Sequence, residues 1–439
     1  LSPRDIKKAL NTLPQDLKET YRRILDGIPS EYKHDAIRLL QFLVHAKRPL
    51  SVSEAIEVIA TQPDQNPPVF SIDGRLCQER DILHYCPSLV IIVKGESYYG
   101  AFEELHLAHF SVKEYLLEQA QFDVRCASIT VTKTCLTYLS DINCDDSTLD
   151  DFPMAQFSAD YWTDYAVLAE NSEETVGSTI SFLQDEKSFQ QWIYLYDRIR
   201  LEQFPGTFRA KQLYYACLCN LVATVRYLVT EVADINAQCG LYGSALHAAS
   251  IRGHLEIVKM LIKNGADVEA WNGTYGNALH TASAEGYPEV VRLLIENGAD
   301  VNEQGGIRGN ALQIASAEGY PEVVRLLIEN GADVNEQGGT YSDALQLASC
   351  CGNLEVMQLL LENGADINTA SGELSSALYI ASRFGKIEAV RLLLKNGADI
   401  NMASRELGNA LYTASQFGKI EAVRLLLENE RTSIWRLEN

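Results

Sequence analysis

In the second half of the chain, apolar residues recur at helical spacing inside a fixed 33-residue period. Residues 282–306, ASAEGYPEVVRLLIENGADVNEQGG, return letter for letter at 315–339. The same offset relates Ala245, Ala278, Ala311, Ala344, Ala377 and Ala410, and also Gly265, Gly298, Gly331, Gly364 and Gly397, giving seven copies from about Thr207. A constant period of this length predicts a solenoid in which each copy buries its apolar side only against its neighbours. In the copy from 273, Ala278 to Glu285 reads as a short first helix. Pro288 to Asn297 reads as a second, with Val290, Val291, Leu293, Leu294 and Ile295 forming a broad apolar face.

The polar punctuation agrees. Ser244, Asn277, Asn310, Asp343, Ser376 and Asn409 precede the first helices and can accept from the free amides of a helix start. Gly286 and its equivalents close the first helix and Gly298 and its equivalents the second, where a left-handed residue is needed. Pro288 and Pro321 suit a first helical turn. The stretch from Ala299 to Gly309 leaves the helices as a turn-rich finger.

These residues resemble the ankyrin repeat. Its G-x-TPLH-x-A core is written G-N-A-L-H-T-A at Gly276 to Ala282, and its NGAD-(V/I)-N ending recurs intact. The Thr-Pro of the family is replaced throughout by Ser, Asn or Asp followed by Ala. The first copy has Asn220 and Val232 in place of its glycines and the last loses NGAD, as expected of capping repeats.

Before the array the periodicity is different. Helices are expected up to Gly27, from Ser30 to Ala46, from Ser51 or Ser53 through Ile59, and briefly over Arg80 to Tyr85. Leu89 to Val93 and Tyr98 to Phe110 read as two strands about a turn at Lys94 to Ser97, and Ser111 starts a closing helix. Three helices and a hairpin predict a winged helix. This segment resembles the winged helix that follows the NACHT nucleotide-binding domain in fungal NLR-like (STAND) proteins, also known from a family named after GPI-inositol deacylation. The matching residues include Arg38-Leu39-Leu40-Gln41-Phe42-Leu43, Arg48-Pro49-Leu50-Ser51 and Ala108 to Leu116. Residues 121–206 read as a helical connector whose aromatics, among them Trp162, Phe182, Phe189 and Trp192, are expected in a core. The expected order is a linker at 1–29, the winged helix at 30–120, the connector at 121–206 and ankyrin repeats at 207–439, in a mainly α chain.

Composition changes the picture in three ways. A net charge of −22, concentrated beyond residue 120, argues against nucleic acid as the main partner. Ten cysteines without a C-x-x-C pair favour reduced thiols and a cytoplasmic setting. No apolar run has the length of a membrane span. A start at Leu1 rather than Met suggests a piece of a longer protein.

No phosphate-binding loop, nucleophile elbow, zinc-protease motif or dinucleotide fingerprint is present, so no catalytic residue, metal or cofactor is assigned to this chain. His106 and His109 lie three apart in the expected strand, where they would face opposite sides, which disfavours a shared ion. The resemblance implies another role for His109. In the H-x-S-x-x-E-(F/Y) stretch His109 to Tyr115, the family's histidine reaches the terminal phosphate of ADP in the closed state, given an upstream nucleotide-binding domain. The alternative is a structural histidine.

Positions that pack should stay constant between copies, and positions that face a ligand are free to differ. Finger tips carry Tyr242, Tyr275, Arg308, Tyr341, Leu374 and Leu407. The first-helix position carries His247, His280, Gln313, Gln346, Tyr379 and Tyr412. Further along that helix come Arg252, Glu285, Glu318, Arg383, Phe384 and Phe417. Tyr and Arg dominate interface energies, so this set is the expected protein-binding face, although neutral drift would also vary it. His247 and His280 have a second reading as hydrogen-bonding residues within the turn. The resulting expectation is the sensor half of an NLR-like signalling ATPase, with a protein ligand on the concave array face and the winged helix against a NACHT domain that binds ADP or ATP. A stand-alone ankyrin adaptor is the alternative, and a DNA-binding winged helix the third reading.

Overall fold

A computed structural model describes residues 17–97, 100–143, 148–197, 211–231, 234–272, 275–305, 308–338, 343–369, 376–402 and 408–438. The chain divides into two compact units, Leu1–Gly206 with Leu221–Thr224, and Thr207–Asn220 with Val225–Asn439.

The first unit opens with α1 (Leu17–Asp26) and α2 (Ser30–His45), whose inward side buries Ala36, Leu39, Leu40, Phe42 and Val44. Ser30 is the first helical residue of α2, and Pro29 precedes it without a side-chain bond. Next come β1 (Leu50–Ser51) and α3 (Val52–Ala60). Here the capping serine is Ser51. Its Oγ accepts from Glu54 N at 3.1 Å while the Glu54 carboxylate accepts from Ser51 N at 2.7 Å, so two otherwise orphaned amides are satisfied reciprocally. Arg38, only 1% exposed, donates to the Val58 and Ile59 carbonyls at the far end of α3 and pairs with Asp35 at 2.6 Å. A buried cation thus meets the negative end of a helix dipole and ties α2 to α3.

Two short strands, β2 (Thr61–Gln62) and β3 (Val69–Phe70), pair with each other. The helix expected before the wing is reduced to a 3-10 turn, Glu79–Asp81, and the single turn α4 (Ile82–Tyr85), too short to lie along a major groove. The wing is longer than expected: β4 (Val90–Ser97) runs through the residues read as a turn and pairs with β5 (Gly100–Leu107) from Val90 opposite Leu107 to Ser97 opposite Gly100. Lys94 faces Glu103 across the pair and forms an ion pair with it, which holds that register. A third strand, β1, adds to β5, giving the order β1-β5-β4. Helix α5 (Phe110–Leu117) starts earlier than expected, with His109 rather than Ser111 as its cap.

Helices α6 (Val124–Asp141), α7 (Ala155–Leu168), α8 (Glu173–Gln184) and α9 (Glu186–Tyr196) complete this unit. Their aromatics form its core. Trp162 and Trp192, both fully buried, meet edge to face at 5.0 Å, Phe182 lies 5.5 Å from Trp162, and the Trp192 indole donates to Ala159 O.

The second unit contains, among the described residues, seven helix pairs running from Gln212–Leu218 and Val222–Glu231 to Ala410–Gln416 and Ile420–Glu438. First helices stack on first helices and second on second. The stacking is close because each first helix carries a fully buried alanine at the same position: Ala216, Ala249, Ala282, Ala315, Ala348, Ala381 and Ala414. Gly286 (φ +74) and Gly319 (φ +85) end first helices in the left-handed region. Asn220, which replaces that glycine in the first copy, adopts φ +61, a conformation asparagine tolerates better than most side chains.

Candidate protein-binding face

Each finger is held from two sides. On one side, the asparagine that ends NGAD-(V/I)-N reaches into the next copy. Asn302 Nδ2 donates to Gly331 O at 3.1 Å and its Oδ1 accepts from Asp333 N at 2.8 Å, and Asn335 repeats both bonds to Gly364 and Asp366. Where the second copy carries Glu269 instead, its carboxylate still accepts from Asp300 N. These side chains make a hydrogen-bonded ladder along the finger bases.

On the other side stands the first-helix position. Asn277 accepts from the amides of Leu279 and His280, and the His280 ring takes a bond back from Asn277 N, which closes a capping box with histidine in the usual place of glutamate. The opposite ring nitrogen, Nε2, donates to Glu303 O of the following finger at 3.0 Å. Gln313 and Gln346 make the same reach, to Glu336 O and Thr369 O, while His247 Nε2 donates to Gly276 O at the far end of its finger. These four residues are 1% exposed or less, and Tyr379 is 2% exposed. The expectation that His247, His280, Gln313, Gln346 and Tyr379 face a ligand is therefore corrected: all five are buried, and the first four turn their side chains to the following finger. The histidines bond on both sides: Nδ1 stays within its own turn, with Ser244 or Asn277, as the second reading expected, and Nε2 reaches the next finger. Burial pushes the His247 ring below its ordinary range and takes His280 down to about 4, so both are neutral donors. Tyr412 holds the same position in the last copy but is 58% exposed, because the chain there continues as helix to Glu438 instead of forming a covering finger.

The remaining expected residues are distributed as follows. Tyr242 and Tyr275, both half-buried, meet edge to face at 5.3 Å between adjacent fingers. Arg308 is exposed and approaches Glu318 at 3.5 Å. Arg252, Glu285 and Glu318 are exposed, as are Phe384 (46%) and Phe417 (47%), while Arg383 is half-buried with its guanidinium over both phenyl rings. Tyr341, Leu374 and Leu407 lie outside the described residues. Trp271 was not anticipated. It is 42% exposed on a finger, edge-on to the His280 ring, at a position where the next two copies have Gln304 and Gln337. The same break in the repeat that singled out the tyrosines marks it.

In the first unit His109 caps α5. Its Nδ1 accepts from Ser111 N at 3.2 Å and lies 2.7 Å from Ser111 Oγ, which in turn meets Tyr21 Oη at 2.8 Å. Nδ1 as acceptor places the ring proton on Nε2, and the side chain is exposed. Exposed Phe110 lies against the ring, at 4.3 Å between centroids. His106 pairs instead with Glu104 at 2.8 Å. Among the described residues no group of three or more His, Cys, Asp or Glu is arranged to hold a metal, and no helix is long and apolar enough to cross a membrane.

Comparison with known proteins agrees with this architecture. A family profile described as ankyrin repeats (3 copies) matches residues 213–305, 304–371 and 345–436, together more than half of the chain. One for the GPI inositol-deacylase winged helix domain matches residues 4–127. A curated relative, azaphilone pigments biosynthesis cluster protein L of Monascus ruber, is 34% identical over 284 residues, which span 57% of this chain and 59% of that protein. Among solved structures, the human ASB11 ankyrin repeat domain (23% identity, TM-score 0.46) covers 49% of this chain and 98% of its own. The ankyrin repeat domain of Bcl-3, titled a unique member of the IkappaB protein family (27% identity, TM-score 0.43), covers 49% and 99%. With the repeat, its caps and its inter-copy ladder all present, the chain belongs to the ankyrin-repeat family, its array preceded by a winged helix domain of the GPI inositol-deacylase type.

Proposed function

Ankyrin repeats are protein-interaction modules, and we propose that this array is the non-catalytic recognition half of an NLR-like signalling ATPase. Its ligand is a protein that docks on the surface made by the fingers and the exposed ends of the first helices. The observation that carries the reading is the aromatic pair Tyr242 and Tyr275, braced edge to face on adjacent fingers. Rigid, half-exposed aromatics of this kind supply most binding energy at protein interfaces at little entropic cost. The winged helix would couple occupancy of the array to a NACHT domain elsewhere in the full-length protein, with His109 Nε2 donating to the terminal phosphate of bound ADP. Cytoplasmic residence belongs to the same proposal, supported by the free thiols of the nine described cysteines. The stand-alone adaptor remains the competing arrangement for a chain whose winged helix has no nucleotide domain to contact.

The test is capture on the immobilised chain and identification of what binds, repeated with Tyr242→Ala/Tyr275→Ala. At unchanged circular dichroism the double variant is expected to lose the partner. Undiminished capture would remove this face from the proposal.

A further inference from the structure

The array contains two near-duplicated pairs of copies with different surface chemistry. Copies three and four share the run at 282–306 and 315–339, and place Glu285 and Glu318, then Tyr287 and Tyr320, at the turn after the first helix. Copies six and seven share FGKIEAVRLLL at 384–394 and 417–427, and place Phe384 and Phe417, then Lys386 and Lys419, at those positions. One edge of the array is therefore acidic in its middle and cationic and aromatic towards its end.

The second pair forms a continuous patch. The Arg383 guanidinium lies 5.8 Å from the Phe384 ring centroid and 5.0 Å from that of Phe417, so one cation bridges the sixth and seventh copies. The stem of Lys419 crosses Gly385, with Cδ 2.9 Å from where a Cβ would sit, and Lys386 crosses Gly352 in the same way. None of the three cations has an ion-pair partner among the described residues, and the nearby Glu388 is engaged by Arg391 at 3.4 Å. The two phenyl rings between them are about half exposed.

We infer that this edge of the sixth and seventh copies docks an acidic peptide segment that also carries an aromatic or aliphatic side chain. Its carboxylates meet Arg383, Lys386 and Lys419, and its apolar side chain rests on Phe384 and Phe417. The inference depends on the array being protein-binding and specifies the chemistry of the partner. A peptide suits the patch better than nucleic acid. Charges more than about 8 Å apart are screened at physiological salt, so a short acidic segment senses mainly the local cations. A long polyanion would run on to a surface whose net charge is −22.

The experiment uses the full chain and a fluorescein-labelled peptide of alternating Glu and Phe, with an alternating Lys and Phe peptide and a labelled DNA duplex as comparisons. The wild type is expected to bind the Glu–Phe peptide, to lose affinity as salt rises, and to bind neither comparison. Arg383→Glu/Lys386→Glu/Lys419→Glu is expected to weaken the peptide by at least about tenfold, as reversing several screened contacts allows, with circular dichroism unchanged. Lys259→Glu/Lys263→Glu, which reverses two exposed cations on the second helix of the second copy, should not weaken it. Should the triple variant misfold, Lys386→Gln/Lys419→Gln is expected to weaken binding in the same direction. Equal peptide binding by folded variants, no binding by the wild type, or equal binding of the duplex would each overturn the inference. If these results fail while Tyr242→Ala/Tyr275→Ala still abolishes capture of the native partner, only the acidic-segment assignment falls. If that capture persists as well, the protein-binding reading falls with it.

Discussion

Acidification should weaken the array through His280, and the next copy supplies the substitution that proves it. His280 is 1% exposed and donates through Nε2 to Glu303 O, with a ring pKa lowered from 6.5 to about 4, chiefly by burial. The folded state therefore resists a proton that the unfolded chain accepts. Above pH 6.5 the group adds no pH dependence; between 6.5 and 4 stability falls, and below 4 the loss is complete. Two and a half units correspond to about 3 kcal/mol in full, of which about 2.5 kcal/mol is already lost at pH 4.5. Gln313, at the equivalent site, accepts from Asn310 N at 2.9 Å and donates to Glu336 O at 2.9 Å, so glutamine makes both bonds of the histidine without titrating. His280→Gln should accordingly match the wild type within about 0.5 kcal/mol at pH 7.5 and exceed it by about 2.5 kcal/mol at pH 4.5. Urea unfolding of both proteins at the two pH values measures this. Trp271 fluorescence reports locally on the site, since the indole stands 6.1 Å from the ring. His247 titrates in the same direction, and Asp343, pushed up to about 6 by burial, in the opposite one. Both are present in both proteins and cancel in the difference. A variant already weakened at pH 7.5, or one with no advantage at pH 4.5, would refute the reasoning.

Two further outcomes are expected. Asn302→Ala removes the bonds to Gly331 O and from Asp333 N; it should cost about 1–2 kcal/mol and speed hydrogen exchange at Asp333 while exchange at Asp267 is unchanged. His109→Asn in the full-length protein keeps a helix cap but withdraws Nε2; bound ADP recovered on acid precipitation should fall and dissociation should quicken by about tenfold or more, whereas unchanged ADP content would reduce His109 to its capping role.

Most of the array was legible in the sequence because its local signals are redundant. Period, alanine stacking, polar caps and glycine stops all fall at the same offsets, and even Asn220 takes the left-handed turn of the glycine it replaces. The binding face was less legible, for a physical reason. Variation between copies was read as freedom to face a ligand, yet His and Gln at 247, 280, 313 and 346 vary because both reach the following finger with an N–H of similar length. Interchangeable hydrogen bonding and ligand-facing variation leave the same mark on a sequence. Only burial separates them, and it leaves the tyrosine pair, Arg308 and the Arg383–Phe417 patch as surface. In the winged helix, the two-residue strand β1 carries too few residues for an alternation to show. The early start of α5 was hidden because Phe110 resembles a strand residue and histidine is an uncommon cap.

The most direct test of the recognition-half account is the intact mass of the native protein from its source cells, together with its N-terminal peptides. The account predicts a mass well above 48.8 kDa and peptides that contain a G-x-x-x-x-G-K-[ST] phosphate loop upstream of the winged helix. A native mass near 48.8 kDa would contradict it and leave an ankyrin adaptor in its place.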